Sequence, residues 1–328
     1  MNKIINIGVV GVGHLGKHHV RHFSKIKEVN LVGLFDIDEE ESKKVSLEYK
    51  TRSFRSLKDI LKVVDAVSIV TPTSTHKSVA EMCLTKGKHV FIEKPITKTI
   101  SEAEELLRLS KKYKKIIQVG HIERFNSALL PLKDFNVQPR YIEVHRLAPY
   151  MIRGTDIPVV LDLMIHDIDL VLSIINSPVK NIEASGVSIM TESVDIANAR
   201  IHFKNGSVAN ITSSRVAKDK VRKIKLFQQD LYITIDFLIG LTEVYRVMDA
   251  NETDSSAIIS APLEAEGKHR QIFYEKPKIK KQDALEMELR NFIESVQGIS
   301  KPIVDGRAGK LALEVAMQIQ NKILEGLK

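Results

Sequence analysis

Short apolar runs alternate with stretches of helical periodicity in the first third of the chain. The apolar runs contain few polar residues, as strands buried on both faces of a sheet do. The runs cover Ile4–Val10, Asn30–Phe35, Ala66–Val70, His89–Glu93 and Ile116–Gly120. The periodic stretches between them predict helices at Lys17–Lys27, Ser56–Lys62, His76–Lys86 and Ser101–Lys115. Strands separated by helices at this spacing predict βαβ units, and therefore an α/β fold with a doubly wound parallel sheet.

The pattern changes after about residue 123, where strand-like runs follow one another with few helices between them. Asn205 and Gly206 separate two such runs, and Asn-Gly between alternating runs is a strong hairpin signal. Strands are predicted at Arg140–Leu147, Asp195–Phe203, Val208–Ser214, Val221–Phe227 and Leu231–Phe237, helices at Val159–Ile175, Asp283–Gln297 and Arg307–Leu324, and a long loop at Asp249–Arg270. We expect two domains, residues 1–123 and residues 124–328, the second an α+β domain with a mainly antiparallel sheet.

Composition is that of an ordinary globular protein. Hydrophobic residues make up 43% and charged residues 27% of the 328 residues, which excludes a disordered or fibrous chain. Cys83 is the only cysteine, which rules out an internal disulfide and any zinc or iron–sulfur site held by several thiolates. The apolar run near Met1 is no signal peptide, and no segment approaches the ~18 apolar residues of a membrane span. We expect a cytoplasmic protein that does not bind membranes.

The net charge of +8 is concentrated in the first domain, where residues 1–123 carry 22 Lys and Arg against 15 Asp and Glu. A basic surface attracts nucleic acid, membranes or anionic small molecules, or it only keeps the protein soluble. Aromatic residues make up 5% of the chain and tryptophan is absent, so few side chains are available for stacking bases. The sequence contains no recognisable basic recognition helix. We therefore expect a small anionic ligand and no nucleic acid.

A glycine-rich turn follows the first predicted strand and precedes the first helix, with the sequence Gly11-Val12-Gly13-His14-Leu15-Gly16. At this spacing the first glycine allows a tight turn, the second lets the backbone approach a pyrophosphate, and the third allows helix and strand to pack closely. Asp36 lies 20 residues after Gly16, where the second strand ends. A carboxylate there accepts hydrogen bonds from ribose hydroxyls and repels a 2′-phosphate. The motif predicts a bound dinucleotide and favours NAD over NADP.

Two further turns at strand ends carry candidate chemistry. The turn after the third strand contains Thr71, Pro72, Thr73, Thr75 and His76. Its hydroxyls face the ligand crevice of a parallel sheet, or Thr75 simply caps the helix that begins at His76. The fourth strand ends in Glu93, Lys94 and Pro95. A lysine that is partly desolvated at this edge has a lowered pKa and relays a proton, or it forms a surface ion pair with the preceding glutamate.

Asp162 and His166 lie four residues apart in the predicted helix Val159–Ile175, so they are neighbours on one helical face. The rest of that helix is apolar, and polar groups inserted there cost free energy unless they are hydrogen-bonded or used. A carboxylate beside an imidazole orients the ring and keeps it basic, as a general base requires. A structurally paired histidine has the same spacing, so both interpretations stay open.

No metal site is predicted. Four histidines cluster near the first helix, namely His14, His18, His19 and His22. No acidic residue accompanies them in the sequence, and zinc sites of this kind need further ligands. Cys83 lies among apolar residues of a predicted helix and is expected to be a packed thiol.

The glycine-rich turn, the Glu-Lys-Pro sequence, the Asp-x-x-x-His helix and the late antiparallel sheet occur in one order along the chain. In this combination the sequence resembles the Gfo/Idh/MocA family of NAD(P)-dependent oxidoreductases over essentially its whole length. The resemblance implies an N-terminal Rossmann domain, an open C-terminal sheet for substrate binding and homodimer or homotetramer contacts, and catalytic roles for Lys94, Asp162 and His166. The expected NAD contacts are Gly11, Gly13, His14, Leu15, Gly16, Asp36, Thr71, Pro72, Thr73, His76, Glu93 and Lys94.

Two segments, Gly120–Asn126 and Arg153–Asp156, resemble the branch of this family that acts on nucleotide-linked amino sugars. Ser127 stands where that branch usually has a proline. The resemblance implies NAD-dependent oxidation of C3 of UDP-N-acetylglucosamine to the 3-keto sugar, a step toward lipid A. The implied substrate contacts are Arg124, Asn126, Arg153, Thr155, Asp162 and His166.

In the implied reaction His166 accepts the hydroxyl proton as hydride leaves for C4 of the nicotinamide, Asp162 orients His166, and Lys94 hydrogen-bonds the reacting oxygen. One alternative is a dehydrogenase of a free sugar or polyol such as inositol, which needs no diphosphate site. Another is a non-catalytic NAD(H)-sensing protein that has no use for the three catalytic side chains. NADH formation with UDP-sugars and with free sugars separates these functions.

Overall fold

The computed structural model describes residues 3–150, 157–252, 256–265 and 268–327. It separates into two compact units. The first comprises Met1–Phe125 and Asp283–Glu314, and the second comprises Asn126–Gln282 and Val315–Lys328. The predicted boundary after residue 123 falls close to the first division of the chain. The segment Asp283–Glu314, however, belongs to the first unit and not to the second, where the sequence pattern had placed it.

The first unit is built on a six-stranded parallel sheet. Its elements are β1 (Ile5–Val10), α1 (His14–Phe23), β2 (Val29–Phe35), α2 (Glu39–Glu48), β3 (Arg52–Ser53), α3 (Leu57–Ile60), β4 (Ala66–Ile69), α4 (Thr73–Thr85), β5 (His89–Glu93), α5 (Ile100–Tyr113) and β6 (Ile117–Gly120). The strand order is β3-β2-β1-β4-β5-β6, so the order reverses between β1 and β4, where such sheets bind ligands. The predicted doubly wound sheet is confirmed, with β3 and α2 as additions.

The core of the first unit lies between this sheet and its helices. Helix α1 buries Gly16, His19, Val20 and Phe23, a spacing of three and four residues that places all four on one helical face. His19 is therefore a polar residue on an otherwise small or apolar stripe. The apolar face of α1 packs into a cluster with the inward side chains of β1, among them Ile7.

The second unit is built on a nine-stranded sheet that is antiparallel except for the parallel pair β7 and β10. Its elements are β7 (Tyr141–Leu147), a π-helical turn (Val160–Met164), α6 (Ile165–Ile175), β8 (Val179–Val187), β9 (Ile196–Phe203), β10 (Val208–Ser214), β11 (Val221–Gln228), β12 (Leu231–Asp236), β13 (Leu241–Asp249), β14 (Ile259–Ala265) and β15 (Lys268–Glu275). The strand order is β14-β15-β13-β12-β11-β7-β10-β9-β8. This architecture confirms the predicted α+β unit with a large, mainly antiparallel sheet.

Two details of the predicted second unit are corrected. The segment Asp249–Arg270 is not a long loop, since it contains β14 and the beginning of β15. These strands form a hairpin at the edge of the sheet, where burial is small and the alternation of apolar residues is weak. Pro262 is tolerated there because β14 has a neighbouring strand on one side only. The helix predicted at Val159–Ile175 begins with the π-helical turn and becomes α-helical only at Ile165.

The last two helices are α7 (Ala284–Val296) and α8 (Gly306–Gly326). The carboxylate of Asp283 caps α7 by accepting hydrogen bonds from the first-turn N–H groups. Leu289 and Phe292 of α7 are buried in the apolar cluster that also contains Ile7 and Phe23, which explains why this segment joins the first unit. Within the part of the chain that the structure describes, no helix combines the length and the apolar character needed to cross a membrane.

Candidate functional site

The glycine-rich turn joins β1 to α1 and leaves the helix N-terminus open. Gly11 has a φ of +86°, and a side chain there would lie 2.7 Å from the Val70 carbonyl group. A side chain at Gly16 would overlap the carbonyl oxygen of Gly11, whereas no atom lies within 4 Å of the position that a Cβ on Gly13 would occupy. The open space at Gly13, the N-cap residue of α1, exposes the first-turn N–H groups to an anion.

The carboxylate of Asp36 ties the end of β2 to this turn. Its Oδ2 accepts a hydrogen bond of 2.6 Å from the Val12 N–H, and its Oδ1 accepts one of 3.0 Å from the Asp38 N–H. A carboxylate has about four lone-pair positions, so these two bonds leave capacity for further donors such as hydroxyls. The half-buried Asp36 side chain is thus held in one orientation at the sheet edge.

A cavity of about 750 Å³ lies along this edge of the first unit. Its volume falls within the ~300–1,000 Å³ of small-molecule and cofactor sites. The structure brings eight predicted cofactor residues to its lining: Gly11, Gly13, Leu15, Asp36, Thr71, Pro72, Glu93 and Lys94. Four others, His14, Gly16, Thr73 and His76, are not part of the lining. The lining runs from the end of β2 past the glycine-rich turn to the end of β5.

His76 lies behind the cavity wall. Its Nδ1 is 2.9 Å from the Pro95 carbonyl oxygen and its Nε2 is 2.8 Å from the Thr71 carbonyl oxygen, so the ring bridges two of the turns that form the wall. Burial lowers the pKa of His76, and the two carbonyl contacts act in the opposite direction. Helix α4 begins at Thr73, three residues before the predicted start, and Thr75 therefore does not occupy the N-cap position.

Glu93 and Lys94 form the end of the cavity opposite Asp36. Glu93 is 9% exposed, and its Oε2 accepts a hydrogen bond of 3.2 Å from the Lys94 backbone N–H. The Lys94–Pro95 peptide bond is cis. Behind Glu93, His19 Nε2 lies 3.1 Å from Glu93 Oε1, a contact that the sequence pattern did not predict.

In the second unit, Asp162 lies in the π-helical turn and His166 in the first turn of α6. Both side chains are half-buried, whereas Met164, Ile165 and Asp167 between and beside them are buried. The i→i+5 hydrogen bonding of a π turn widens the helix where Asp162 lies. Such π turns occur frequently at functional sites.

A buried ion pair anchors α6 next to His166. Arg146 on β7 and Asp167 on α6 are 3% and 1% exposed, and their bidentate contact has distances of 2.7 and 2.8 Å. The hydrophobic pattern of the sequence did not predict this pair. The signal was present in β7, because Ile142, Val144 and Arg146 alternate on its buried face and a charge at such a position needs a buried partner.

A second anchor holds the chain that leads into the π-helical turn. Asp195 accepts hydrogen bonds from the N–H groups of Ile189, Met190 and Thr191 at 2.7 to 3.0 Å. Burial acts to raise the pKa of Asp195, but these bonds and the Thr191 hydroxyl outweigh it and hold the pKa at about 2. Arg215, beside Asp195, donates to the carbonyl oxygen of Ile157.

The remaining predicted substrate residues are distributed as follows. Arg124 lies in the 3₁₀ turn Ile122–Phe125 of the first unit and is half-buried. Asn126 begins the second unit, where its Oδ1 accepts a hydrogen bond of 3.0 Å from the Ala128 N–H. Arg153 and Thr155 lie outside the described residues.

Among the described residues, no group of three or more His, Cys, Asp and Glu side chains is arranged to hold a metal ion. The rings of His14 and His18 meet edge to face at 5.5 Å between centroids, while His19 and His22 turn toward Glu93 and Asp283. Burial raises the pKa of Cys83 to about 12, so this residue is a packed thiol.

Comparison with known proteins links both units to one family. Residues 5–121 match the model of the oxidoreductase family with an NAD-binding Rossmann fold, GFO/IDH/MocA, and residues 142–234 match the GFO/IDH/MocA C-terminal domain. The chain is 36% identical over 314 residues to the UDP-N-acetylglucosamine 3-dehydrogenase of Acidithiobacillus ferrooxidans, with 95% of each sequence covered.

Two further matches cover nearly the whole chain. A solved structure of the Acidithiobacillus ferrooxidans UDP-N-acetylglucosamine 3-dehydrogenase superposes with a TM-score of 0.89 at 35% identity and covers 100% of both chains. The myo-inositol 2-dehydrogenase of Thermotoga maritima is 25% identical over 330 residues, which is 94% of this chain and 93% of that protein. The similarity therefore extends over both compact units and is greater to the nucleotide-sugar enzyme.

Proposed function

The chain belongs to the Gfo/Idh/MocA family of oxidoreductases and is a dehydrogenase, and on that basis we propose that it oxidises C3 of UDP-N-acetylglucosamine with NAD⁺. The observation that carries the proposal is the 36% identity to a UDP-N-acetylglucosamine 3-dehydrogenase over 95% of both sequences. The product is the 3-keto sugar, which fits a cytoplasmic step toward lipid A.

The cavity of the first unit fits a nicotinamide dinucleotide. The open space above Gly13 admits a pyrophosphate to the N-terminus of α1, where a side chain would exclude it. We propose that Asp36 accepts hydrogen bonds from the hydroxyls of the adenosine ribose and that Glu93 and Lys94 lie at the nicotinamide end. When bound, the nicotinamide ring supplies the hydride acceptor.

Charge at the ribose end supports NAD over NADP. The residues that follow β2 are acidic, with Asp36 and Asp38 in the cavity lining and Glu39 to Glu41 in the first turn of α2. A 2′-phosphate would face these carboxylates, and like charges at short distance repel. Lys17, on α1, is paired with Glu41. We therefore propose NAD as the cofactor.

The catalytic and substrate residues are carried over from the family resemblance. We propose that His166 accepts the proton of the reacting hydroxyl, that Asp162 orients His166, and that Lys94 hydrogen-bonds the reacting oxygen. Arginine binds phosphate in bidentate fashion, so Arg124 and Arg153 are proposed for the diphosphate, with Asn126 and Thr155 as sugar contacts, alongside Asp162 and His166.

A homodimer or homotetramer is proposed from the open sheet of the second unit. A row of half-buried aromatic side chains crosses five neighbouring strands on that sheet, with centroids 4.7 to 5.6 Å apart, and consists of Tyr141, Phe227, Tyr232, Tyr245 and Tyr274. Aromatic residues are enriched in the buried centres of protein interfaces, so this row is our candidate for the contact between copies of the chain.

A free polyol is the second candidate substrate, since a myo-inositol 2-dehydrogenase is 25% identical over 94% of the chain. Absorbance of NADH at equal concentrations of UDP-N-acetylglucosamine, other UDP-sugars, N-acetylglucosamine and myo-inositol separates the two. We expect turnover with NAD⁺ and UDP-N-acetylglucosamine, and little with the free compounds or with NADP⁺. Turnover with myo-inositol alone would replace the proposal by the second candidate.

A further inference from the structure

A buried polar network lies directly behind the cavity of the first unit. The side chain of His19 has no exposed surface, and its Nδ1 lies 2.9 Å from the hydroxyl oxygen of Ser68, which is also fully buried. On the other side of the ring, Nε2 lies 3.1 Å from Oε1 of Glu93, although the contact is not aligned as an ideal hydrogen bond. The network thus connects α1, β4 and β5 beneath the one acidic side chain at this end of the cavity.

One tautomer of a neutral imidazole serves both contacts. With its proton on Nε2, His19 directs the positive end of an N–H bond toward Glu93, and Nδ1 accepts the hydrogen of the Ser68 hydroxyl. The second oxygen of Glu93, Oε2, accepts the backbone N–H of Lys94 at 3.2 Å. One carboxylate oxygen of Glu93 therefore accepts the Lys94 N–H, while the other lies against Nε2 of the His19 ring, so both oxygens are in contact with neighbouring groups.

Packing holds the same arrangement. The His19 ring meets the rings of Phe91 and Phe23 edge to face, with centroids 5.4 and 6.5 Å away. On β6, a side chain at Gly120 would lie 2.8 Å from Cδ and both carboxylate oxygens of Glu93. The absence of a side chain at Gly120 is what leaves room for the carboxylate. The imidazole is fully buried, and the carboxylate lies between the His19 ring and the backbone of Gly120.

We propose that His19 is a positioning residue that, with Ser68, holds the Glu93 carboxylate toward the nicotinamide end of the cavity, so that the site binds the positively charged oxidised ring in preference to the neutral reduced ring. The inference rests on the proposed nicotinamide cofactor and goes beyond it. Glu93 lines the cavity together with Lys94, at the far side from Asp36. A fixed negative charge there attracts a cationic ring and has no such attraction for a neutral one.

The variants His19→Asn and His19→Gln form a matched pair. The amide of asparagine reaches about as far as Nδ1 of histidine, toward Ser68, whereas the amide of glutamine reaches about as far as Nε2 and can still donate to Glu93. His18→Gln, on the same helix but half-buried outside the network, is the control. Calorimetry gives the dissociation constants of NADH and of NAD⁺. The quantity compared between variants is the dissociation constant of NADH divided by that of NAD⁺.

We expect this ratio to fall by roughly three- to tenfold in Glu93→Gln and by a smaller factor in His19→Asn, because the carboxylate is lost or released. In His19→Gln and His18→Gln it should stay within about twofold of wild type. Gly120→Ala displaces the carboxylate while His19 is intact, so it should lower the ratio too and serves as a second perturbation should His19→Asn fold poorly.

An equal ratio in wild type, His19→Asn and Gly120→Ala, with both cofactor forms still bound, would overturn the inference and leave the proposed function standing. A loss of affinity for both forms by the same factor, with the ratio unchanged, would show that His19 only supports the fold and would overturn it as well. A wild-type protein that binds neither form would instead contradict the proposed nicotinamide cofactor.

Discussion

His166 is the residue on which the proposed chemistry depends most. It is half-buried in the first turn of α6, while Ile165 and Asp167 on either side of it are buried. The buried contact between Arg146 and Asp167 fixes the backbone next to the imidazole, so the ring is carried by a rigid helix turn. An imidazole held in one orientation is well suited to accept a hydroxyl proton.

Replacing this imidazole should therefore remove general-base catalysis and little else. We expect His166→Ala to lower kcat by ~10²–10⁴, because positioned acid–base groups contribute that much, with the affinity for NAD⁺ unchanged. Steady-state NADH formation gives kcat, and calorimetry gives the affinity. His202→Gln, which alters a partly exposed histidine on β9, is the control and should keep wild-type kcat. A near-normal kcat in His166→Ala would show that another group accepts the proton.

Asp36 should determine the choice between NAD and NADP. We expect Asp36→Asn to weaken NAD⁺ binding and to raise the NADP⁺-to-NAD⁺ ratio of kcat/KM by roughly tenfold, since the repulsion of the 2′-phosphate is relieved. Glu40→Gln, on the exposed first turn of α2, alters the charge nearby without touching the cavity lining and should change the ratio little. A cofactor preference that is the same in Asp36→Asn and wild type would exclude Asp36 as the determinant.

A buried ion pair joins the secondary-structure elements β7 and α6. The guanidinium of Arg146 and the carboxylate of Asp167 are almost fully buried and contact each other in bidentate geometry. Removing one partner of such a pair leaves the other charge buried without compensation, which is far costlier than losing a pair at the surface. The helix turn that carries His166 is therefore coupled to the centre of the sheet.

We expect Asp167→Ala to lower the free energy of unfolding by ~3–5 kcal/mol, measured by urea denaturation. Glu39→Gln breaks the exposed pair between Glu39 and Lys43 and should cost at most ~0.5 kcal/mol. The double variant Arg146→Met with Asp167→Leu, which removes both charges, should recover much of the lost stability. A cost for Asp167→Ala as small as that for Glu39→Gln would contradict the burial of the pair.

The segment around Asp195 predicts a pH dependence of stability. The pKa of Asp195 is about 2 in the folded state and ~3.9 in an unfolded chain, so its stabilisation is present above about pH 4 and is lost as the pH falls toward 2. Between those limits the stability advantage of wild type over Asp195→Asn should shrink by about 2 kcal/mol. Urea titrations from pH 2.5 to 6 measure it. Asp219→Asn, at an exposed position, should follow the wild-type pH dependence.

The elements that sequence periodicity predicted well are those whose burial is strong and local. β1, β5 and β10 are recovered within a residue because each is a buried or clearly alternating run. Helix α2 was missed because its sequence is mostly polar and buries only a few small residues. The hairpin of β14 and β15 was missed because an edge hairpin has little apolar alternation and depends on pairing with β13.

In the candidate site, too, the residues of a local motif could be predicted from the sequence, whereas contacts between distant residues could not. Gly11, Gly13 and Asp36 were predicted as cofactor contacts from a local motif and its spacing, and the structure places them along one cavity. The contact of His19 with Glu93 joins residues 74 positions apart, and no spacing rule connects them. Contacts such as this one form only when the strands assemble into the sheet, so they cannot be predicted from a single sequence.

The net charge of +8 of the whole molecule can be explained without a nucleic-acid partner. Both domains of the family are present and account for the fold. The first unit is the more basic part of the chain, yet the residues that follow β2, in or beside the cavity, are acidic. Most of the excess lysine is left as solvated surface, which favours solubility and exerts a modest attraction on anionic ligands.

The aromatic row on the nine-stranded sheet is the proposed contact between copies of the chain. We expect Tyr232→Asp, which places a charge in the middle of the row, to shift the protein from dimer or tetramer toward monomer in sedimentation velocity experiments. Lys180→Gln, on the edge strand β8, lowers the net charge by the same one unit and should leave the assembly intact. An unchanged sedimentation coefficient for Tyr232→Asp would exclude this face as the contact.

The central claim is that hydride leaves C3 of the sugar in UDP-N-acetylglucosamine. It is tested most directly with substrate that carries deuterium at C3, followed by mass spectrometry of the reduced cofactor. We expect one deuterium per turnover to appear in the NADH that is formed, and the sugar product to be lighter by two mass units than the unlabelled substrate. NADH formed without deuterium, or no turnover of the nucleotide sugar at all, would contradict it.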